Sequence, residues 1–473
     1  MPQPERVQVH PQFRHRLCEL RQAAGLSLRE LAKLAHYSHT YLHDLERGIK
    51  QPTAATASRL DDALSAGGML STLVTVPVTA LLPPPPMPVS SHNLVDTGLE
   101  FASDWWQAVD TATGLWRQNA QGHHVLPTVG FTATAFLAPA MRWLTSPLDE
   151  QPVGRGARLV GPPDVETISR MTATLRGLDN HYGGGHIYPT IVRMLHGEVA
   201  PLLLDGRYDA TTGAALFSAA AELTRLAGWS AYDAGLHGIA QRYLIQALRL
   251  AVTAADRPLG AEVIAAMSHQ ATYLYAPAEA VDLARAAGRV AADAGVAAIQ
   301  AEAAVLEAHG HAVAGDEKAC AVALDRAERT LDRADRGKDP QWIGYFDEAY
   351  LAAKFAQCFA ALGRGDLAGR FAVRSLDMDS RYVRGRQFNL ALLATAHAQA
   401  GDIEQSAIVG TEAAVATEGL NSARAVDYLA RLAERLASHA GLPAVHDFTE
   451  QARPLLAATG GRSPSPIAPP TGR

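Results

Sequence analysis

The stretch Phe13-Arg14-His15-Arg16-Leu17-Cys18-Glu19-Leu20-Arg21, continuing through Ala24-Gly25-Leu26-Ser27 to Leu28-Arg29-Glu30-Leu31-Ala32, decides how the N-terminal region is read. Phe13, Leu17, Leu20 and Ala24 fall at i, i+4, i+7 and i+11, one apolar stripe of a helix. Gly25 stops that helix. Ser27 caps the next, and Glu30 three residues on completes a capping box. The second helix, Leu28 to Ala35, turns Leu31 and Leu34 inward, and Ala32 leaves room for a crossing helix. His36-Tyr37 makes the turn and Ser38 caps a third helix, with Tyr41, Leu42 and Leu45 on its buried face. Glu46-Arg47-Gly48 ends it. Gln51-Pro52-Thr53 leads into a fourth helix whose Ala57, Leu60 and Leu64 face the core.

This string of helix lengths, caps and turn, closed by Leu45-Glu46-Arg47-Gly48 and Pro52, closely resembles the Xre (phage-repressor) helix-turn-helix family. The resemblance implies a four- or five-helix DNA-binding domain over residues 11–68, whose third helix enters the major groove by its N-terminal end. The outward positions Ser38, His39, Thr40, His43 and Asp44 then face base edges, with His39, Thr40 and His43 the chief readers. Arg29, Arg47 and Lys50 are placed to neutralise phosphates. Two residues depart from the family's habit. Leu28 stands where a glutamine is common, and Asp44 where a basic or amide residue is common. Asp44 either accepts from cytosine or pairs with Arg47 on the helix surface. Both departures reduce basic contact per monomer, which predicts a homodimer on a two-fold site with half-sites about one helical turn apart.

Working outward, Pro83 to Pro86, then Pro88, Ser90 and Ser91, mark residues 69–93 as a proline-rich spacer. The rest reads as helix after helix: a helical region over 94–207, helical repeats over 208–456 and a disordered Ser/Pro/Gly-rich tail over 457–473. In 94–207, helices are predicted over Leu99–Asn119, Thr128–Leu144, Thr167–Tyr182 with Asp164 as N-cap, and His186–Leu204. From Asp209 on, small residues recur in threes, twelve and then seven apart: Gly228, Ala240, Ala247; Ser268, Ala280, Ala287; Ala308, Cys320, Ala327; Ala356, Ala368, Ser375; Ala394, Ser406, Ala413. Each set lets two antiparallel helices approach closely. Gly315-Asp316, Gly365-Asp366 and Gly401-Asp402 each supply a glycine to end one helix and an aspartate to cap the next. This spacing resembles a degenerate tetratricopeptide (TPR) repeat, with a period nearer 40 than 34. The predicted fold class is all-α: an Xre-type head and a TPR-like α-solenoid.

Composition agrees with that class. The 473 residues are 48% hydrophobic and 19% charged, and only 6% aromatic, too few for a β-sandwich. The net charge is −6; residues 1–70 hold nine Arg/Lys against seven Asp/Glu, leaving −8 on the remainder. A weakly basic head on an acidic body suits a chain that touches DNA through its head alone. Three separated cysteines, Cys18, Cys320 and Cys358, predict buried reduced thiols and a cytoplasmic setting. No signal peptide is read at the N-terminus, and the apolar stretch Met69 to Leu82 is too short and interrupted to cross a membrane.

Catalytic signatures are weak. His123-His124 and Glu307-x-His309-x-His311 lack a recognised zinc spacing, and Gly183-Gly184-Gly185 follows a helix with no Lys-Ser/Thr after it. No cofactor and no enzymatic activity are expected. As a whole the chain resembles Xre-plus-TPR regulators of GC-rich filamentous bacteria, some of which control differentiation and antibiotic production. The matching stretches are Leu178 to His186, Leu226 to Gly235 and Ala266 to Ala271. Their polar and aromatic residues, Asn180, His181, His186, Trp229, Tyr232, Asp233, Tyr243, His269 and Gln270, are either a ligand pocket or interhelix hydrogen bonding. The predicted function is a sequence-specific regulator whose body senses a peptide, a small molecule or a protein; the alternative is a TPR-like scaffold with a vestigial head.

Overall fold

A computed structural model describes residues 8–9, 13–64, 66–75, 97–121, 129–145 and 151–458. The Pro83–Pro86 run, His123-His124 and residues 459–473 lie outside the described residues. The chain divides into two units, residues 1–91 and 92–473.

The first unit is a helical bundle of α1 (Phe13–Ala23), α2 (Leu28–Leu34), α3 (His39–Glu46) and α4 (Ala54–Leu64). Phe13, Leu17, Leu31, Leu42, Leu45, Ala57 and Leu60 form its core. Leu34, expected inward, is 53% exposed, because the helix ends there and Ala35 takes the buried position. Ala24 and Cys18 also lie nearer solvent than their spacing suggests. Beyond α4 the chain folds back. The Asp61 carboxylate, 5% exposed, accepts from the Leu70 N–H (2.8 Å), the Ser71 N–H (2.8 Å) and the Ser71 hydroxyl (2.6 Å). Leu70 and Val74 thereby join the core, and β2 (Val74–Thr75) pairs antiparallel with β1 (Gln8–Val9). The head therefore runs past Gly68 into residues read from sequence as spacer.

The second unit is an extensive helix-packed region. It opens with α5 (Trp105–Ala120), α6 (Leu137–Thr145), α7 (Pro162–Tyr182), α8 (Gly184–Met194) and α9 (Ala200–Leu204). A three-stranded sheet sets β5 (Gly206–Tyr208) between β3 (Gly154–Arg155) and β4 (Arg158–Leu159). Among the described residues, this sheet and the β1–β2 pair are the additions to an otherwise all-α architecture. The α7 cap differs from the prediction: Gly161 is the N-cap, and Asp164 at the third helical position accepts from its N–H at 2.9 Å. α5 starts later than predicted, at Trp105, where Asp104 caps it.

Helical hairpins follow: α10 (Ala210–Asp233) with α11 (His237–Thr253), α12 (Arg257–Tyr273) with α13 (Pro277–Ala294), and α14 (Ala297–Val313) with α15 (Glu317–Leu331). Next come α16 (Glu348–Ala361) with α17 (Gly365–Ser375), α18 (Val383–Ala400) with α19 (Ile403–Thr417), and α20 (Ala423–Leu436) with α21 (Pro443–Ala458). The recurrent small residues fall where these partners meet. The Ser268 hydroxyl donates to the Ala280 carbonyl and the Ser406 hydroxyl to the Ala394 carbonyl, both at 2.7 Å and both across a hairpin. A Cβ on Gly228 would lie 3.1 Å from the Leu244 side chain. Gly315 and Gly401 take left-handed φ values of 79° and 86°, and Asp316 and Asp402 cap the helices that follow. The Gly365-Asp366 pair differs. Gly363 is the left-handed residue, while Gly365 opens α17 with its Cα packed against the α18 backbone.

Candidate nucleic-acid interface and an internal cavity

In the head, the Ser27–Glu30 capping box forms with both hydrogen bonds, Glu30 N–H to Ser27 Oγ at 3.3 Å and Ser27 N–H to Glu30 Oε2 at 2.7 Å. His36 turns the chain with a left-handed φ of 57°. Ser38 caps α3 by accepting from the Tyr41 N–H at 3.2 Å. Leu42 and Leu45 are buried while Ser38, His39 and Thr40 are exposed, so the first turn of α3 stands open to solvent. His43 is partly exposed one turn further on.

Arg21 on α1 holds α3 in place. Its guanidinium donates to both Glu46 carboxylate oxygens, at 2.6 and 3.0 Å, and to the Leu26 carbonyl at 2.9 Å. The Tyr41 and Tyr37 hydroxyls reach toward Thr56 on α4, at 3.5 and 3.4 Å, which makes Tyr41 a packing residue. Asp44 does not pair with Arg47. Its side-chain partners are Lys50, with Nζ 3.3 Å away, and the adjacent His43, with Nδ1 3.7 Å away; Lys50 is brought near because the Ile49 and Lys50 N–H groups both donate to the Asp44 carbonyl. Lys50 is thus partly neutralised, whereas Arg29 and Arg47 are exposed and form no ion pair among the described residues.

The second unit holds a cavity of about 400 Å³. Its walls come from α7, α10, α12, α16, α18 and α20 and the loops before α16 and α18. The helices are drawn around it because α18 and α20 return to α7 and α10. Arg384 donates to Asp179 at 2.7 Å and lies 3.1 Å from Asp233. Asp233 also accepts from the Ser422 hydroxyl and the Gly184 N–H, both at 2.9 Å. The Asn421 N–H donates to the Tyr182 carbonyl and the Gly185 N–H to the Asn421 carbonyl, both at 2.9 Å.

Six aromatic residues line the cavity, Trp229, Trp342, Tyr345, Tyr350, Tyr382 and Phe388. So do six cations, Arg176, Arg225, Lys354, Arg381, Arg384 and Arg424, against one carboxylate, Asp347. Asp347 is engaged as the α16 N-cap, accepting from the Tyr350 N–H at 2.8 Å. Arg424 lies over Tyr232 at 4.3 Å and Phe388 at 4.8 Å, within 3.7 Å of Asp233.

Of the nine residues read as pocket candidates, Asn180, Trp229 and His269 line the cavity. Tyr232 is buried behind it, 3.1 Å from His269 Nδ1 and beneath Arg424. Asp233 is a fully buried cross-brace. Tyr243 is buried elsewhere and accepts from Asn119 at 3.0 Å. Gln270 donates to the His237 carbonyl at 2.9 Å. His181 and His186 are exposed and pack on Tyr182. The sequence did not point to Lys354, Arg384, Arg424 or Tyr345, whose helices and loops lie far down the chain.

Glu307 of the Glu-x-His-x-His stretch is an ion-pair acceptor for Arg285 and Arg326, with His311 Nε2 3.7 Å away. Among the described residues no group of three or more side chains is arranged to hold a metal ion, and no helix is long and apolar enough to cross a membrane. Cys320 and Cys358 are both buried.

Residues 12–71 match a protein family described as a helix-turn-helix domain. An N-terminal helix-turn-helix domain is therefore present, with the DNA-binding regulatory role that this motif supports. No curated protein matches the chain.

Proposed function

We propose that this chain is a sequence-specific transcription regulator, dimeric on DNA, whose TPR-like helical body senses an effector. The observation that carries the DNA-reading part is the open first turn of α3: Ser38, His39 and Thr40 face solvent while Leu42 and Leu45 anchor the helix. Inserted N-terminus first, α3 sets His39, Thr40 and His43 against base edges in the major groove. Arg29 and Arg47 neutralise phosphates and carry no sequence information. Asp44 draws Lys50 away from this task, which leaves few cations per head and favours two heads on one two-fold site. The proline-rich segment beyond Thr75 acts as the spacer between head and body.

The test is selection of DNA by the full chain from a random pool, followed by gel shift. Changing His39, Thr40 and His43 together to alanine abolishes the selected preference. Arg47→Ala instead weakens all sequences alike. A folded chain that retains no sequence would make it a helical-repeat scaffold with a vestigial head.

A further inference from the structure

We propose that the cavity of the body binds a small aromatic carboxylate, with its ring between the aromatic walls and its carboxylate on Lys354; this rests on the effector-sensing part of the function above.

Lys354 is 3% exposed and sits on α16 between Leu351 and Cys358. Its Nζ has three donors and one hydrogen-bond acceptor, Gln357 Oε1 at 3.1 Å, and lies over the Tyr350 ring at 5.5 Å. No carboxylate of the described residues lies within ion-pair distance of it. The nearest acidic cluster is already committed. Tyr345 Oη is 2.9 Å from Glu262 and 2.8 Å from Glu302, and Arg225 pairs with Glu262 at 3.1 Å. Burial, and then the neighbouring Glu262, push the Glu302 carboxyl well up. Lys354 is left without a carboxylate at ion-pair distance, and burial, then the neighbouring Arg424, lower its ammonium to about 7 against the opposing pull of Glu302.

An uncompensated buried ammonium is costly unless something pairs it. The cavity opens on the same wall, and its volume of about 400 Å³ is within the range of pockets for drug-sized ligands. Its other walls are flat π-surfaces, Trp229, Trp342 and Phe388 among them, in a chain that is only 6% aromatic. A ring with one carboxylate matches both features at once. Of the other cations, Arg176, Arg225, Arg381 and Arg384 already hold Glu222, Glu262, Asp379 and the pair Asp179 and Asp233, and Arg424 lies over Tyr232 and Phe388 with Asp233 at 3.7 Å.

The test is titration calorimetry of the full chain with indole-3-carboxylate and phenylacetate, against their amides and inorganic phosphate. The carboxylates bind, the amides bind at least about 30-fold more weakly, and Lys354→Met removes that discrimination. Ala173→Trp, a change at an exposed residue of the cavity wall, weakens carboxylate and amide together, with folding checked by circular dichroism. Equal binding of acid and amide, equal binding to wild type and Lys354→Met, or phosphate binding as tight as the carboxylates overturns the proposal; so does absence of heat with both acids. If the acids bind through Lys354 but leave affinity for the selected DNA unchanged, the site stands and the effector-sensing function falls.

Discussion

Replacing Lys354 by methionine should stabilise the unliganded body, and the effect should depend on pH in a defined direction. The ammonium falls from an ordinary 10.5 to about 7 in the folded chain. Below pH 7 both folded and unfolded states hold the proton, and the folded state bears the whole penalty of burying it. At about 1.4 kcal/mol for each tenfold loss of proton affinity, that penalty is about 4–5 kcal/mol. Between pH 7 and 10.5 the unfolded chain keeps the proton that the folded chain has lost, so stability rises with pH and levels off above 10.5. Methionine has similar length and no charge, so it removes both the penalty and the slope. The expected result at pH 7 is a gain of about 4 kcal/mol. From pH 7 to pH 9 the wild type should gain about 2–3 kcal/mol more than the variant. Urea unfolding followed by tryptophan fluorescence reads this in the full chain, because all six tryptophans lie between Trp105 and Trp342, in the body. Parallel pH profiles, or a variant less stable at pH 7, would refute the claim that Lys354 is buried without a counter-ion.

In the head, Asp61→Ala strips the partners from the Leu70 and Ser71 N–H groups and should cost about 2–3 kcal/mol, seen as lost hydrogen-exchange protection at those amides. Asp44→Ala releases Lys50 and removes a carboxylate beside the α3 reading face, so DNA affinity should rise a few-fold and its salt dependence steepen. Gly228→Leu places a side chain where a Cβ already meets Leu244 and Tyr243; the body should lose about 2–3 kcal/mol, read as a lower thermal midpoint. Asp233→Ala leaves Arg384 and Arg424 in the interior short of a carboxylate and should cost about 3–5 kcal/mol; a variant that folds normally would remove its role as a brace.

The parts of the fold that are legible in the sequence are those set by local physics. Ser27, Glu30 and Ser38 act within three residues of themselves, so their caps can be read directly. The small-residue triplets are legible for a similar reason: two helices joined by a short turn must meet at fixed offsets, and Ser268 does reach the Ala280 carbonyl. Asp61 leaves no such mark, because its partners Leu70 and Ser71 are ordinary in an apolar stretch, and nothing in composition says that a carboxylate will gather them. For the cavity, Asn180, Trp229 and His269 stand out as polar or aromatic residues among alanines. Asp233 stands out equally and is a brace, since sequence cannot tell a buried acceptor of several bonds from a ligand contact. Arg384 and Arg424 enter from helices more than 150 residues beyond Asp233, and that closure is a tertiary property. Lys354 does leave a trace. It is one of five lysines in the chain and stands on the Leu351–Cys358 stripe of a mostly apolar helix.

The two buried charge clusters of the body differ in a way that separates scaffold from site. Where α18 and α20 meet α7 and α10, two guanidinium groups, Arg384 and Arg424, face two carboxylates, Asp179 and Asp233, and the remaining carboxylate valences go to Ser230, Ser422 and the Gly184 N–H. In such a cluster each carboxylate already faces a cation, and removing any member exposes the others to the cost of an unpaired buried charge. Around Lys354 the pairing is incomplete: Arg225 holds Glu262, while Lys354 has Gln357 as its one hydrogen-bond acceptor and no carboxylate at ion-pair distance. A guanidinium already facing a carboxylate gains little from a further anion, whereas an ammonium with none gains from any anion that fits. The difference between the clusters therefore places structural work at Asp233 and recognition at Lys354, although both line or back the same cavity.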